Sequence, residues 1–240
     1  LVVMAGNIPL VGFHDFLSVL ISGHEVVVKM SSVDNVLLKV LIEKLISIDS
    51  EFNNSISFID KVKDKNFDGV ITTGSDNSAG YFEYYFRHTN KIIRKNRRSI
   101  AVLDGTESSI ELDSLADDVF LYFGLGCRNV SKLFLPKGYD LNKLFKAFYS
   151  FNNIMENTKY SNNYDYNKAV YLMNKLDILD NNFCLLRQSD ELFSPLSMIH
   201  YQFYKDQSEI DAYIKEHEEK IQVVVGRDYL AYGEAQCPSL

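Results

Sequence analysis

The stretch LVVMAGNIPLVGFHDFLSVLISGHEVVVKMSS, residues 1–32, decides the fold class. Residues 1–5 form a short apolar run without alternation, the pattern of a strand buried on both faces. Phe13, Phe16, Leu17, Leu20 and Ile21 then recur at helical spacing, and Gly23 follows where a C-cap glycine sits. Residues 25–29 read as a second strand. A strand, a helix and a strand in so few residues predict a parallel pair joined by a crossover helix. Two polar residues interrupt the apolar pattern, Asn7 before Pro9 and Lys29 at the tip of Val26-Val27-Val28.

The same alternation continues outward. Asp34 reads as the N-cap of a helix carrying Val36, Leu37, Val40, Leu41 and Leu45. Residues 56–59 and 69–73 read as strands, and Gly74-Ser75-Asp76 opens an aromatic-rich helix to about Phe86. The basic stretch 91–98 reads as a solvated face, and its shift in composition marks a domain boundary. Further strands are expected at 99–103, 132–135, 183–186, 196–203 and 221–225. Helices are expected at 113–123, 140–155, 165–177 and 208–216, with an irregular tail from Gly226. The alternation predicts the α/β class, a parallel sheet with crossover helices, divided into residues 1–98 and 99–240.

Composition narrows the function. The 240 residues are 46% hydrophobic and 24% charged, with ample material for one large or two modest cores. A net charge of −7 argues against nucleic acid as the main partner. Three cysteines, Cys127, Cys184 and Cys237, lack C-x-x-C spacing, which favours a reducing cytoplasm over a disulfide framework or a structural zinc site. Charged or polar residues interrupt every apolar run short of a bilayer span, so no membrane span is expected. The chain starts in mid-strand on Leu1 without an initiator methionine, and a fragment of a longer protein is expected.

Several residues are candidates for chemistry. Cys127 lies between a Gly-rich turn and Arg128-Asn129, where the backbone can approach a ligand and a basic neighbour favours the thiolate. The competing reading is an inert core cysteine, which suits Cys184 better. Asn7 is a turn residue or a preorganised amide donor to an oxyanion. Lys29 is a solvated charge or a ligand contact at the carboxyl end of a strand. Gly74-Ser75 before a helix is a phosphate contact through helix N-terminal amides, a common arrangement of low specificity. No G-x-G-x-x-G follows the first strand, and the five histidines show no metal-like spacing.

The order of these features carries a resemblance. Asn-x-Pro after the first strand, Gly-x-x-Val-Val-x-Lys after one helix, and Thr72-Thr73-Gly74-Ser75 resemble the nucleotide-binding half of the aldehyde dehydrogenase superfamily. Gly-x-x-Cys at residues 124–127, followed by Leu133-Phe134-Leu135-Pro136, is similar to its nucleophile segment. Glu191-Leu192-Phe193-Ser194-Pro195 is similar to its Glu-x-Phe-Gly-Pro cofactor segment, with Ser in place of Gly. Gly-Asn-Ile-Pro, Lys-Met-Ser-Ser and Gly-Leu-Gly-Cys-Arg-Asn-Val-Ser-Lys-Leu-Phe resemble the acyl-CoA reductase branch, which includes the fatty-acid reductase subunit of bacterial luminescence.

The resemblance implies an aldehyde dehydrogenase-like fold of two Rossmann-like open parallel-sheet lobes, a nucleotide-binding lobe at residues 1–98 and a catalytic lobe at 99–240. It further implies NADPH-dependent reduction of a long-chain acyl-CoA to an aldehyde, with NADH left open as reductant. Cys127 would be the nucleophile and Asn7 the oxyanion donor. Lys29, Gly74, Ser75, Glu191 and Phe193 would bind the cofactor. The coenzyme A thioester is the implied substrate, and a homo-oligomer or an acyl-transfer partner protein stays open. Hydrolytic relatives carry a water-activating Glu, which has no clear counterpart here; Asp104 is the candidate substitute. Two alternatives stand beside the reductase: an aldehyde dehydrogenase working oxidatively with an acid such as Asp104 as base, and a catalytically incomplete nucleotide-binding fragment.

Overall fold

Short β-branched runs flanked by amphipathic helices build two compact units, Leu1–Asn96 and Arg97–Leu240. A computed structural model describes residues 1–62, 66–74 and 76–237 of the chain.

In the first unit the strands are β1 (Val2–Val3), β2 (Val26–Lys29), β3 (Ile56–Phe58), β4 (Gly69–Thr73) and β5 (Asn90–Arg94). The helices are α1 (Phe13–Ile21), α2 (Leu37–Ile48), the single turn α3 (Phe52–Ser55) and α4 (Asp76–Tyr85). All pairings are parallel, in the order β3-β2-β1-β4-β5. The direction of winding reverses between β1 and β4, where Val3 lies opposite Lys29 on one side and Thr72 on the other. Val2, Val26 and Val28 pack against Phe16 of α1 and against Leu38 and Ile42 of α2.

Two expectations change here. Asp34 does not cap α2, whose N-cap is Val36 without a side-chain bond. Its carboxylate instead accepts the Leu10 amide at 2.7 Å and ties the loop after β1 to the loop after β2. Half of the basic stretch is edge strand β5 rather than a solvated face alone. Ile92 and Ile93 supply the strand propensity, and Lys91 and Arg94 charge the open edge.

In the second unit the strands are β6 (Arg98–Val102), β7 (Val130–Pro136), β8 (Leu179–Asp180), β9 (Leu185–Gln188), β10 (Met198–Tyr204) and β11 (Ile221–Val225). The helices are α5 (Ser109–Phe120), α6 (Leu141–Phe148), α7 (Thr158–Met173) and α8 (Gln207–Glu216). The order is β11-β6-β7-β10-β9-β8, parallel except for β8 against β9. Central β7 is buried from Val130 to Leu135 because both faces of the sheet are covered. Leu133 and Leu135 pack with Leu115 and Val119 of α5 and Leu144 and Phe148 of α6. Phe134 on the other face meets Ile100, Leu192 and Ile210 of α8.

Helix α5 starts earlier than the expected residue 113. Ser108 and Glu111 close a capping box, with the Glu111 amide donating to Ser108 Oγ at 3.2 Å and the Ser108 amide to Glu111 Oε2 at 2.8 Å. It also ends earlier than residue 123, because Tyr122, Phe123 and Gly124 take φ of 54°, 59° and 69°. The expected helix at 140–155 becomes α6 followed by a 3-10 stretch, Tyr149–Glu156. The tail after β11 is irregular yet pinned. The Gly233 and Ala235 amides donate to the buried Asp118 carboxylate at 2.7 and 2.9 Å, and Tyr232 donates its hydroxyl to the Val102 carbonyl at 2.7 Å.

Burial pushes the Asp118 carboxyl up to about 6. Between the ordinary aspartate range and about 6 the folded state holds a proton that the unfolded state has released, so stability from this group falls as pH rises through that window. Asp118→Ala is expected to flatten that slope in urea titrations across pH. Leaving two amides without an acceptor is also expected to cost about 1–3 kcal/mol and to open the tail to limited proteolysis.

Candidate active site

In the first unit the sheet order sets the carboxyl ends of β1, β2 and β4 side by side at the winding reversal, where open α/β sheets bind ligands. Lys29 ends β2 and is half-buried, and Asn7 is exposed in the loop after β1. Gly74 follows β4 and precedes α4. Ser75 lies outside the described residues. The sheet thus brings Asn7, Lys29 and Gly74 to one edge. The loops after β1 and β2 approach so closely that a Cβ on Gly6 would lie 2.7 Å from side-chain carbons of Ser31 and Val33.

The same edge carries a pair that sequence reading missed. Asp15, buried in the first turn of α1, receives the Arg94 guanidinium through Nη2 at 2.7 Å and through Nε at 3.1 and 3.2 Å. Arg94 ends β5, and its carbonyl accepts the Gly74 amide at 3.3 Å. Helix α1 is therefore fixed to the edge strand across the sheet end that carries Gly74.

In the second unit Cys127 stands on an exposed turn leading into β7, while Cys184 is fully buried, where desolvation pushes its thiol up. A buried Asn129 amide builds that turn. Its Nδ2 donates to the carbonyls of Asp118, Val119 and Leu121 at 3.1, 3.2 and 2.8 Å, and its Oδ1 accepts the Gly126 amide at 2.8 Å. One side chain thus closes the end of α5 and fixes the glycine before Cys127. Ser99 Oγ adds a bond to the Cys127 carbonyl at 3.1 Å. Arg98 opens β6 beside this turn; burial lowers its guanidinium pKa, and the neighbouring Cys127 opposes that shift.

A cavity of about 30 Å³ counts Arg98, Gly124, Asn129, Ser194 and Pro195 in its lining. The nucleophile-like turn and the segment after Glu191 therefore converge. Within that segment Glu191 projects an exposed carboxylate, and Phe193 packs partly buried near Leu192. Ser194, where the superfamily pattern has Gly, donates to the Met198 carbonyl at 2.7 Å.

Asp104 follows β6 at the carboxyl end of the sheet, whereas Cys127 precedes β7 at the amino end. Five residues of strand rise separate the two levels, about 16 Å. Asp104 is engaged there by Arg227 at 3.2 Å and by the Thr106 amide at 2.7 Å. It is not placed to serve Cys127 as a base.

The fold is that of the aldehyde dehydrogenases. Aldehyde dehydrogenase 21 from Physcomitrella patens, solved with its product succinate, aligns at TM-score 0.69 and 15% identity over 95% of this chain and 56% of its own. A Mycobacterium tuberculosis aldehyde dehydrogenase complexed with NAD+ gives 0.67 at 12% identity, covering 88% and 53%. An indole-3-acetaldehyde dehydrogenase from P. syringae, in complex with NAD+ and IAA, gives 0.70 at 12%, covering 88% and 52%. The chain spans little more than half the length of these proteins. The model of the acyl-CoA reductase (LuxC) family matches residues 1–148, and the chain belongs to that family. The Glu191 segment lies beyond the matched residues. No curated protein sequence matches the chain.

Asn129→Asp keeps the size and the acceptor of the amide but removes both donors. It is expected to lose about 2–4 kcal/mol in denaturant unfolding, at least as much as Asn129→Ala, because a buried charge then faces three carbonyls. Cys127 alkylation kinetics should change in both variants as the turn loosens.

Proposed function

We propose that the chain is the core of an acyl-CoA reductase that reduces a long-chain acyl-CoA thioester to an aldehyde through an acyl group carried on Cys127. The observation that carries this reading is the exposed Cys127 on a turn fixed by Asn129, within a segment matched by the family model. The Cys127 thiolate attacks the thioester carbonyl, forming an S–C bond. Collapse of the adduct then breaks the bond to the coenzyme A sulfur. The leaving thiolate needs little acid help, since a free thiol has a pKa of about 8.5. The resemblance assigns Asn7 as amide donor to the oxyanion, together with the Cys127 N–H.

NADPH is the proposed reductant, and when bound it supplies the hydride that reduces the acyl carbon. The first unit's residues suit a dinucleotide. Lys29 offers a compact ammonium for a ribose hydroxyl or a 2′-phosphate, and the amides at the start of α4 favour a pyrophosphate. A Cβ on Gly74 would come within 3.0 Å of Ser78, so that entry to α4 is closely packed. Glu191 is proposed to hold the nicotinamide ribose and Phe193 to pack beside it. Asp104 at the far end of its sheet favours the reductase over the hydrolysing alternative, because the reductase needs no water-activating base.

The test is single-turnover labelling of the full-length protein with a long-chain acyl-CoA. A hydroxylamine-sensitive adduct is expected on Cys127, discharging as aldehyde when NADPH is added. Cys127→Ala is expected to abolish the adduct, and an equally acylated variant would sink the assignment. Oxidation of free aldehyde with NAD in the absence of coenzyme A would instead favour the oxidative enzyme.

A further inference from the structure

Lys132 on central β7 has no exposed surface, an unusual position for an ammonium. Its Nζ donates to the carbonyls of Ser189 and Glu191 at 3.0 and 3.4 Å and lies 4.7 Å from the centre of the Tyr213 ring. Tyr213, on α8, donates its hydroxyl to the Asp190 carbonyl at 3.1 Å. His200, the register partner of Lys132 on β10, places Nδ1 3.1 Å from the Glu191 carbonyl. A carbonyl only accepts, so Nδ1 carries the proton, and burial lowers the His200 pKa toward the neutral ring. Three consecutive carbonyls, at residues 189, 190 and 191, are thus each held by a side chain from β7, α8 or β10. The Glu191 carboxylate itself stays exposed, 4.0 Å from Arg187.

We propose that Lys132, with Tyr213 and His200, is a positioning clamp that fixes the backbone from which Glu191 reaches the nucleotide. The proposal rests on Glu191 being the ribose ligand. A clamp made only for packing would use apolar side chains, since a buried ammonium carries a large desolvation cost. What the ammonium adds is direction. It draws the carbonyls of residues 189 and 191 inward, and the Asp190 side chain between them stays exposed. The groups around it are His200 on β10, Arg187 on β9, Asp190 and Glu191 in the segment, and Tyr213 on α8 with His217 stacked on it. Burial outweighs Asp190 and Glu191 and brings the Lys132 pKa down to about 8. Below that pH the clamp is charged, and above it the neutral amine holds the carbonyls more weakly.

The experiment measures NADPH dissociation constants of the full-length protein by fluorescence from pH 6.5 to 9.5, alongside the rate of Cys127 acylation by acyl-CoA. The wild type is expected to bind NADPH more weakly above pH 8, and Lys132→Met to lose that inflection. At pH 7, Lys132→Met is expected to weaken NADPH binding about tenfold, with acylation within about twofold of wild type. Glu191→Gln alone tests the ribose role, and unchanged NADPH binding in that variant overturns both that role and the clamp. If Glu191→Gln binds weakly and the double variant Lys132→Met/Glu191→Gln binds no worse, the clamp acts through Glu191. If the two losses add, or Lys132→Met leaves NADPH binding unchanged, Lys132 is packing alone. Tyr213→Phe removes a single hydroxyl and guards against a misfolded lysine variant. It is expected to weaken NADPH binding about threefold and to speed amide hydrogen exchange at residues 189–193 without nucleotide.

Discussion

One side-chain amide fixes the turn that carries Cys127. Asn129 spends both of its N–H donors and its oxygen on backbone groups that a helix end and a tight turn would otherwise leave unpaired in the interior. Tyr122 and Phe123 take left-handed backbone angles in the same turn, a conformation that costs non-glycine residues roughly 1–2 kcal/mol each. The amide offsets that cost by satisfying the carbonyls of Asp118, Val119 and Leu121 where α5 ends before the left-handed run. Asp118, whose own carbonyl is one of Asn129's acceptors, uses its carboxylate to hold the tail, and Arg128 donates to the Ala235 carbonyl at 2.9 Å. The end of α5, the cysteine turn and the tail therefore form one mechanical unit.

The two sheets use opposite ends for their proposed chemistry, and each choice has a physical basis. In the first unit the candidate nucleotide residues gather at the carboxyl ends, where the winding reverses and a helix N-terminus offers free amides to a phosphate. In the second, Cys127 sits at the amino end of β7, on a turn that runs directly into the most buried strand of the sheet. Six buried strand residues with Asn129 at their head give the proposed nucleophile a rigid footing.

Much of the architecture was legible in the sequence because its strands are dense in β-branched and apolar residues. Val26-Val27-Val28 and residues 69–73 needed no tertiary information. The element ends were less legible, since they are settled by polar contacts distant in sequence. Asp34 looked like a cap and became a tie to Leu10. The helix expected from residue 113 starts at Ser109, set by a capping box on Ser108. The basic run around Arg94 concealed an edge strand, because charge masked the pair of isoleucines. Of the candidate site, the residue types and their order could be read. Asn129, Asp15, Arg94, Lys132 and His200 could not, since each takes its role from partners 8 to 79 residues away, Asn129 adding only the Gly126 amide nearby.

That lysine also shows that part of the core is not optimised for stability. With its pKa near 8, the folded state releases a proton before the unfolded state does, so stability from this group is lowest at neutral pH and rises as pH climbs from about 8 toward the ordinary lysine value. A methionine on β7 would remove that cost and preserve the apolar contacts of Phe134 and Tyr213. The neighbouring His200 repeats the pattern, with its Nε2 buried and without a hydrogen-bond partner among the described residues. Two polar groups in register on the central strands, both directed at the carbonyls of one short segment, are too costly to serve packing. What they hold is the backbone of residues 189–191, and the desolvation cost of the Lys132 ammonium is largest below about pH 8.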